Sequence, residues 1–466
     1  MTITLAERNL DGIAALGVAV PGYERESLTP RILHVGVGGF HRAHMALYTD
    51  DVAASDGGWA IRGVGLLDAD RRMADALGRQ DCLYTLVERD NEGSRPRVVG
   101  SIVDYDLVAG HGSEFSRLVA DPGIAILSLT ITEGGYSLAG GNPTLEAIVS
   151  GLDARRADGG GPLTILSCDN LPDNGAITSD AVKTIAADRK LELLHWIETS
   201  CTFPTSMVDR ITPQTRDEDV QWLRDDVGID DAWPVVCESF RQWVIEDDFA
   251  AGRPPWEEAG ALFTDRVHDW ELYKLRMLNA SHSCMAYLAA LAHIEFVDEA
   301  IAVPAIRQYL ERFLSTEAIP TLAEIPGHPA REYADTVFRR LENANVRDQI
   351  ARVCIDGASK FPTFLIPTIE TQLDRGGPVA CAALALAGWA RYLATVPDRA
   401  PDVHGDAAAP YAVASLQNPT AFLGLDLVFT PKVRDSERFR DAFVAASREL
   451  ADRGPIAALE ALAVPA

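Results

Sequence analysis

The chain has 466 residues, a formal net charge of −26, and a composition of 47% hydrophobic and 24% charged residues. That length exceeds one core, so two or three domains are expected, in a composition ordinary for a globular protein. The acidic balance argues against nucleic acid or an anionic membrane as partner, because both need a basic face, and leaves room for a small-molecule pocket. Seven cysteines, Cys82, Cys168, Cys201, Cys237, Cys284, Cys354 and Cys381, are scattered with no CxxC pair. They read as reduced thiols of a cytoplasmic protein. The opening "MTITLAERNLDGIAALG" lacks the basic start and apolar run of a signal peptide.

In chain order, "RILHVGVGG" (31–39) predicts a short buried strand running into glycines. "WAIRGVGLLD" (59–68) predicts a second, followed by a charged helix, "ADRRMADALGRQ". "GIAILSLTI" (123–131) and "PLTILSCDN" (162–170) are further apolar runs that end in polar residues. Strands alternating with helices predict a parallel, doubly wound sheet, a Rossmann-like α/β domain over 1–268. From about residue 269 the periodicity turns helical, as in "VHDWELYKLRMLNASHSCMAYLAALAHI", so 269–466 is expected to be a mostly α-helical domain. "VACAALALAGWA" is too short to span a bilayer and predicts a buried helix, and "DRAPDVHGDAAAPYA" (398–412) predicts a surface loop.

Ligands of doubly wound sheets gather at the carboxyl ends of the strands. Gly36, Gly38 and Gly39 stand at the first such end, where glycine permits a tight turn and close approach of a pyrophosphate. His41 occupies the place of the third glycine of GxGxxG, so the turn alone also fits a plain strand–helix connection. Asp68, at the end of the second strand, strengthens the dinucleotide reading: a carboxylate there accepts bonds from the adenosine ribose and repels a 2′-phosphate, favouring NAD. Asp70 is the fallback, with helix capping as its other role, and Arg71 and Arg72 leave some NADP use open. Phe40 beside the glycines, and Thr132 and Glu133 in "TEGGY", are further candidates for cofactor contact. His41 and His44 could suggest a metal, but no cysteine or carboxylate set completes a zinc site nearby, and no metal is expected.

"KLRMLNASHS" (274–283) puts a lysine, an amide and an imidazole inside an apolar helix. At about 100° per residue, Lys274, Glu271, His282 and Asn279 fall at about 0°, 60°, 80° and 140°, all on one side. Such groups are costly in an apolar setting unless paired or solvated. Either this face points at water, or it is a catalytic face whose lysine burial tunes into a general base. Asn170 in "SCDN" and Asp209 in "MVDRITP" end apolar runs, where from the residues alone turn capping by the asparagine and surface pairing by the aspartate are the better readings. Arg352 and Lys360, eight apart in "RVCIDGASKFP", fit a solvated helix end as well as a ligand site.

Taken together, "GVGGFHRAH", "SLTITEGGY", "SCDNLPDNG", "MVDRITP", "FRQWVIEDDF", "KLRMLNASHS" and "DGASKFP" resemble the polyol-specific long-chain dehydrogenases, the mannitol 2-dehydrogenase family, over nearly the whole chain. The resemblance implies a zinc-independent, NAD-dependent oxidoreductase. It makes Lys274 the general base, Asn170 and Asn279 the oxyanion hole, and His282 the group that orients the reacting hydroxyl. Asp209 would arrange the lysine, Glu271 would gate its proton, and Arg352 and Lys360 would hold the outer hydroxyls. D-mannitol and D-fructose are the favoured substrate pair. Fructuronate reduction is the runner-up, since "CESFRQWVIEDDF" looks equally close to those enzymes, and arabinitol and sorbitol dehydrogenases share the motifs. A zinc-dependent polyol dehydrogenase would need a ligand set that is not found. A non-catalytic sugar-binding protein would be expected to lose the lysine or an asparagine.

Overall fold

Six strands form one parallel sheet, the central ones rich in aliphatic residues: β1 (Pro30–Val35), β2 (Ala60–Gly65), β3 (Ile102–Leu107), β4 (Ile126–Leu129), β5 (Leu163–Ser167) and β6 (Cys201–Thr202). Their spatial order is β3-β2-β1-β4-β5-β6, with every neighbouring pair parallel. This is the doubly wound order of dinucleotide-binding folds. Side chains alternate between faces along a strand, and here both faces are buried. Ile32, Ile61, Ile126 and Leu166 enter one apolar cluster. Leu33, Val35, Leu127, Leu129 and Ile165 enter the other. Helices Met45–Asp56, Gly112–Ala120, Pro143–Asp158 and Asn174–Arg189 are among the connections between the strands. A parallel sheet must be covered in this way on both faces.

The structure, a computed structural model, describes residues 2–56, 58–110, 112–396 and 405–463. The chain divides into two compact units, Met1–His268 and Asp269–Ala466. Beside the main sheet, the first unit has a three-stranded sheet in which Ser206–Asp209 pairs antiparallel with Gln242–Ile245. The second unit is helical, as the sequence predicts. Its axis is Ala380–Thr395, buried along nearly its whole length and packed against helices Ala280–Leu291, Gly405–Ser415 and Glu437–Ala463. Gly388 lets that axis lie against Ala280–Leu291, because a Cβ there would come 2.8 Å from Leu288 Cδ2. No described helix is long and apolar enough to cross a membrane.

Two expectations need correction. The predicted loop at 398–412 is helical from Gly405 onward, while 398–404 lie outside the described residues. Its alanines explain the difference: Ala408 and Ala412, four apart, are fully buried on one face, and alanine has the highest helix propensity. The helix carrying Lys274 is not α-helical throughout. Val267–Tyr273 is α, Lys274–Asn279 is π, and Ala280–Leu291 is α again.

Candidate functional site

In the first unit the site begins where β1 ends. Gly36 has φ 93°, and a Cβ on it would stand 2.1 Å from the Thr130 carbonyl oxygen, so no other residue fits that turn. Gly38 and Gly39 are different: a Cβ on either would make only ordinary contact, 3.8 Å from the Gly36 carbonyl oxygen and from Thr212 Cγ2 respectively, so packing does not require glycine there. Gly38 N-caps the helix Gly39–Ala43, on which Phe40 is the second residue. The sheet order reverses between β1 and β4, so this turn lies at the switch point where such folds form a ligand crevice.

The neighbouring strand ends carry the other candidates. Asp68 follows β2 and is exposed at the start of the turn Asp68–Asp70. Asp70 is occupied by capping, its carboxylate accepting from the Leu67 N–H at 2.9 Å. Arg72 is turned away onto Trp233, its guanidinium 4.0 Å from the ring centroid. Thr132, after β4, is exposed with φ 64°, a conformation costly for a β-branched residue. Asp169, which sequence reasoning passed over, holds it there. The Asp169 carboxylate accepts from the Ile131 and Thr132 N–H groups at 2.9 and 2.8 Å and from Tyr136 Oη at 2.6 Å. Its signal was the acid between Cys168 and Asn170, at the end of a buried strand. Glu133 opens the turn Glu133–Tyr136, and its side chain lies outside the described residues. Asn170 is exposed past the end of β5.

Under the glycine turn lie three buried imidazoles. His34 and His41 stack with centroids 3.4 Å apart. Thr130 Oγ1 donates to the Gly36 carbonyl, so His34 Nε2 donates to Thr130 and His34 Nδ1 accepts from Ser128 Oγ at 2.8 Å. His44 Nε2 donates to the Gln242 carbonyl at 3.0 Å. Burial lowers all three pKa values: His34 and His44 to about 3, His41 well below the ordinary range. These rings are neutral packing elements of the turn. Asp209 lies close enough to His44 to bias its protonation; it ends its strand at 3% exposure, paired in register with Gln242. The next residue, Arg210, fixes that strand by donating to the Glu238 and Ala43 carbonyls at 3.0 and 2.5 Å and to Glu88.

In the second unit, Glu271 and Lys274 are 4% and 7% exposed, so this face does not simply point at water. The π register also changes the angles expected from a uniform α-helix. Its i→i+5 bonding places Asn279 one hydrogen-bonded ring beyond Lys274, closer to the same side than about 140° implied. Such segments recur at functional sites. His282 follows in the α-helical part. Burial lowers its pKa to about 4, Asp348 opposes that shift, and Arg352, Arg340 and Lys360 add to it. The second unit therefore gathers His282, Arg352 and Lys360 into one electrostatic cluster. Lys360 Nζ donates to the Val353 carbonyl at 3.0 Å. Arg352 is held by Asp348, the second residue missed in the sequence, through bonds of 2.7 Å from Nε and 2.6 Å from Nη2. The four-residue spacing of acid and arginine was its signal.

Comparison with known proteins covers both units. A family model for the mannitol dehydrogenase Rossmann domain matches residues 30–258, and one for the mannitol dehydrogenase C-terminal domain matches 266–451. Mannitol 2-dehydrogenase of Phaeosphaeria nodorum is 38% identical over 466 residues, spanning 94% of this chain and 82% of that protein. That of Aspergillus fumigatus is 37% identical over 489 residues, spanning 97% of each. The structure of Pseudomonas fluorescens mannitol 2-dehydrogenase, a ternary complex with NAD and D-mannitol, superposes with a TM-score of 0.90 at 38% identity, covering 99% of both chains. A substrate-free D-sorbitol dehydrogenase gives 0.89 at 34% identity, covering 98% of this chain and 100% of that one.

Proposed function

The chain belongs to the mannitol dehydrogenase family, and on that premise we propose that it is an NAD-dependent polyol dehydrogenase. It interconverts D-mannitol and D-fructose without a metal ion, with Lys274 as general base. The observation that carries this reading is the buried Lys274 in a π-helical segment that brings Asn279 round toward its side. The relative solved with NAD and D-mannitol supports the choice of both ligands.

The first unit fits the cofactor. Gly38 and Gly39 leave the backbone bare for a pyrophosphate, Phe40, Thr132 and Glu133 are further candidates for cofactor contact, and exposed Asp68 is free of the capping that occupies Asp70. Asp68 accepts from the ribose hydroxyls and repels a 2′-phosphate, while Arg72, stacked on Trp233, is not presented to one. Bound NAD would supply the hydride acceptor.

The chain's own residues handle the proton and the charge. Lys274, as a neutral amine, takes the hydroxyl proton as hydride leaves the same carbon. Asn170 and Asn279 donate to the oxygen as negative charge develops on it. His282, neutral near pH 7, can donate from one ring nitrogen and accept at the other, and so orients the reacting hydroxyl. Glu271 passes the proton between Lys274 and solvent, and Asp209 arranges the lysine. Arg352 and Lys360 hold the outer hydroxyls. Oxidation is favoured at alkaline pH and carbonyl reduction at lower pH, because the two directions need opposite charge states of Lys274.

A substrate panel with NAD and NADP, run in both directions with and without chelator, tests this reading. Mannitol oxidation and fructose reduction with NAD, insensitive to chelation, are expected. Efficient fructuronate reduction without mannitol oxidation, or loss of activity on chelation, would overturn it.

A further inference from the structure

Arg352, one of the two cations proposed to hold the substrate, is fastened to a carboxylate. Both oxygens of Asp348 are engaged: Oδ1 accepts from Arg352 Nε and Oδ2 from Nη2, a two-point grip. This grip is pre-set by backbone. Phe296 and Gln349 form an antiparallel bridge, and the Asp348 carbonyl accepts from the Val297 N–H at 2.9 Å. The preceding Arg347 has φ 54° and lies 3.7 Å over the Phe296 ring. The Asp348 side chain is 5% exposed, whereas that of Arg352 is 51% exposed. The inner face of the guanidinium is therefore consumed and neutralised, and Nη1 and the second Nη2 hydrogen remain for a ligand.

We propose that Asp348 is a specificity-determining residue: by pairing with Arg352 it keeps this end of the site suited to neutral polyol hydroxyls and disfavours a sugar acid. The proposal rests on the polyol dehydrogenase reading above. A free arginine binds a carboxylate through two parallel bonds. Here the Nε–Nη2 edge is already bonded, and a carboxylate approaching the remaining Nη1–Nη2 end would meet a guanidinium whose charge Asp348 offsets. A hydroxyl oxygen needs one donor and carries no charge, so it loses little. Discrimination of this kind is built by disfavouring the wrong ligand as much as by gripping the right one. Asp348 acts through Arg352 and is a positioning residue rather than a catalytic one.

The test measures kcat and KM with NAD for D-mannitol and for D-mannonate, the corresponding sugar acid, in wild type, Asp348→Asn, Arg352→Ala and the double variant. Asparagine keeps the shape and removes the charge. The ratio of kcat/KM for acid over polyol is expected to rise at least tenfold in Asp348→Asn, chiefly through a lower KM for the acid. That gain should vanish when Arg352 is also replaced. If Asp348 were only structural, both substrates would lose activity together and the ratio would stay put, which overturns the proposal. Should the asparagine variant fold poorly, Asp348→Glu retains the charge: a wild-type ratio in that variant supports the proposal, and a ratio shifted toward the acid counts against it. A wild type that uses the acid and ignores mannitol overturns the family-level reading as well. A wild type active on mannitol with an unmoved ratio overturns this inference alone.

Discussion

The turn at Gly36–Gly39 and the helix at Lys274–His282 make opposite uses of the chain. The first works by what it lacks: Gly36 is required because any Cβ would strike Thr130, and Gly38 and Gly39 beside it leave the backbone bare where a cofactor is proposed to lie. The second works by what it adds, polar side chains buried among apolar ones at some cost in solvation. A binding turn of the first kind tolerates no addition. A reacting face of the second kind tolerates no deletion of a functional group. Substitutions should therefore separate cleanly into losses of cofactor affinity and losses of turnover.

The sharpest break is Lys274→Ala. General acid–base help is worth about 10²–10⁴ in rate, so turnover should fall by at least that range while NAD affinity, read by fluorescence titration, stays near wild type. Near wild-type turnover with the same pH dependence would remove the lysine from its role. Asn279→Ala should cost about 10²–10³ in kcat through lost oxyanion stabilisation. A small added amine should restore some activity to the lysine variant and little to the asparagine variant, and equal rescue would erase the distinction. On the other side of the comparison, Gly36→Ala should cost at least about 2 kcal/mol through backbone strain and the clash with Thr130. Thermal unfolding and NAD titration should both show it; an unchanged melting point would mean the turn can relax. Asp68→Ala is the mildest, narrowing the NAD-over-NADP ratio in kcat/KM about tenfold with folding intact. A wild type that prefers NADP would reverse that assignment.

The two regions also differ in how far they could be read from the sequence. Four of the six strands, β1, β2, β4 and β5, were legible because each is a short aliphatic run ending in glycine or polar residues; β3, with its two aspartates, and the two-residue β6 lack that signature. Buried parallel strands have that composition for a physical reason, since both faces meet helices. The polar residues of the second region were legible as types, but their geometry was not. The angles assumed a uniform α-helix, and a π segment depends on how the helix is held along its length, here with helices Ala330–Leu341 and Gly357–Phe364 packed against Lys274–Asn279. Asp169 and Asp348 were missed for a related reason. Each acts on backbone or side chains brought near by local folding, and the signals they do carry, a strand-end position and a four-residue spacing to an arginine, are common on surfaces that bind nothing. The 398–412 stretch misled because proline and glycine were weighted above the buried alanines.

The three buried imidazoles beneath the glycine turn carry a further consequence. Each is held far below its ordinary pKa of 6.5, so the folded state declines protons that the unfolded chain accepts. Hydrogen ions thus act as a ligand of the unfolded chain. The contribution is intact above about pH 6.5 and is lost progressively as pH falls toward about 3, where His34 and His44 at last titrate. On the proposed chemistry acid helps carbonyl reduction at Lys274, yet it also loosens the floor of the turn proposed to hold the cofactor. The proposed reductive direction would therefore have the lower edge of its working range set by folding rather than by chemistry.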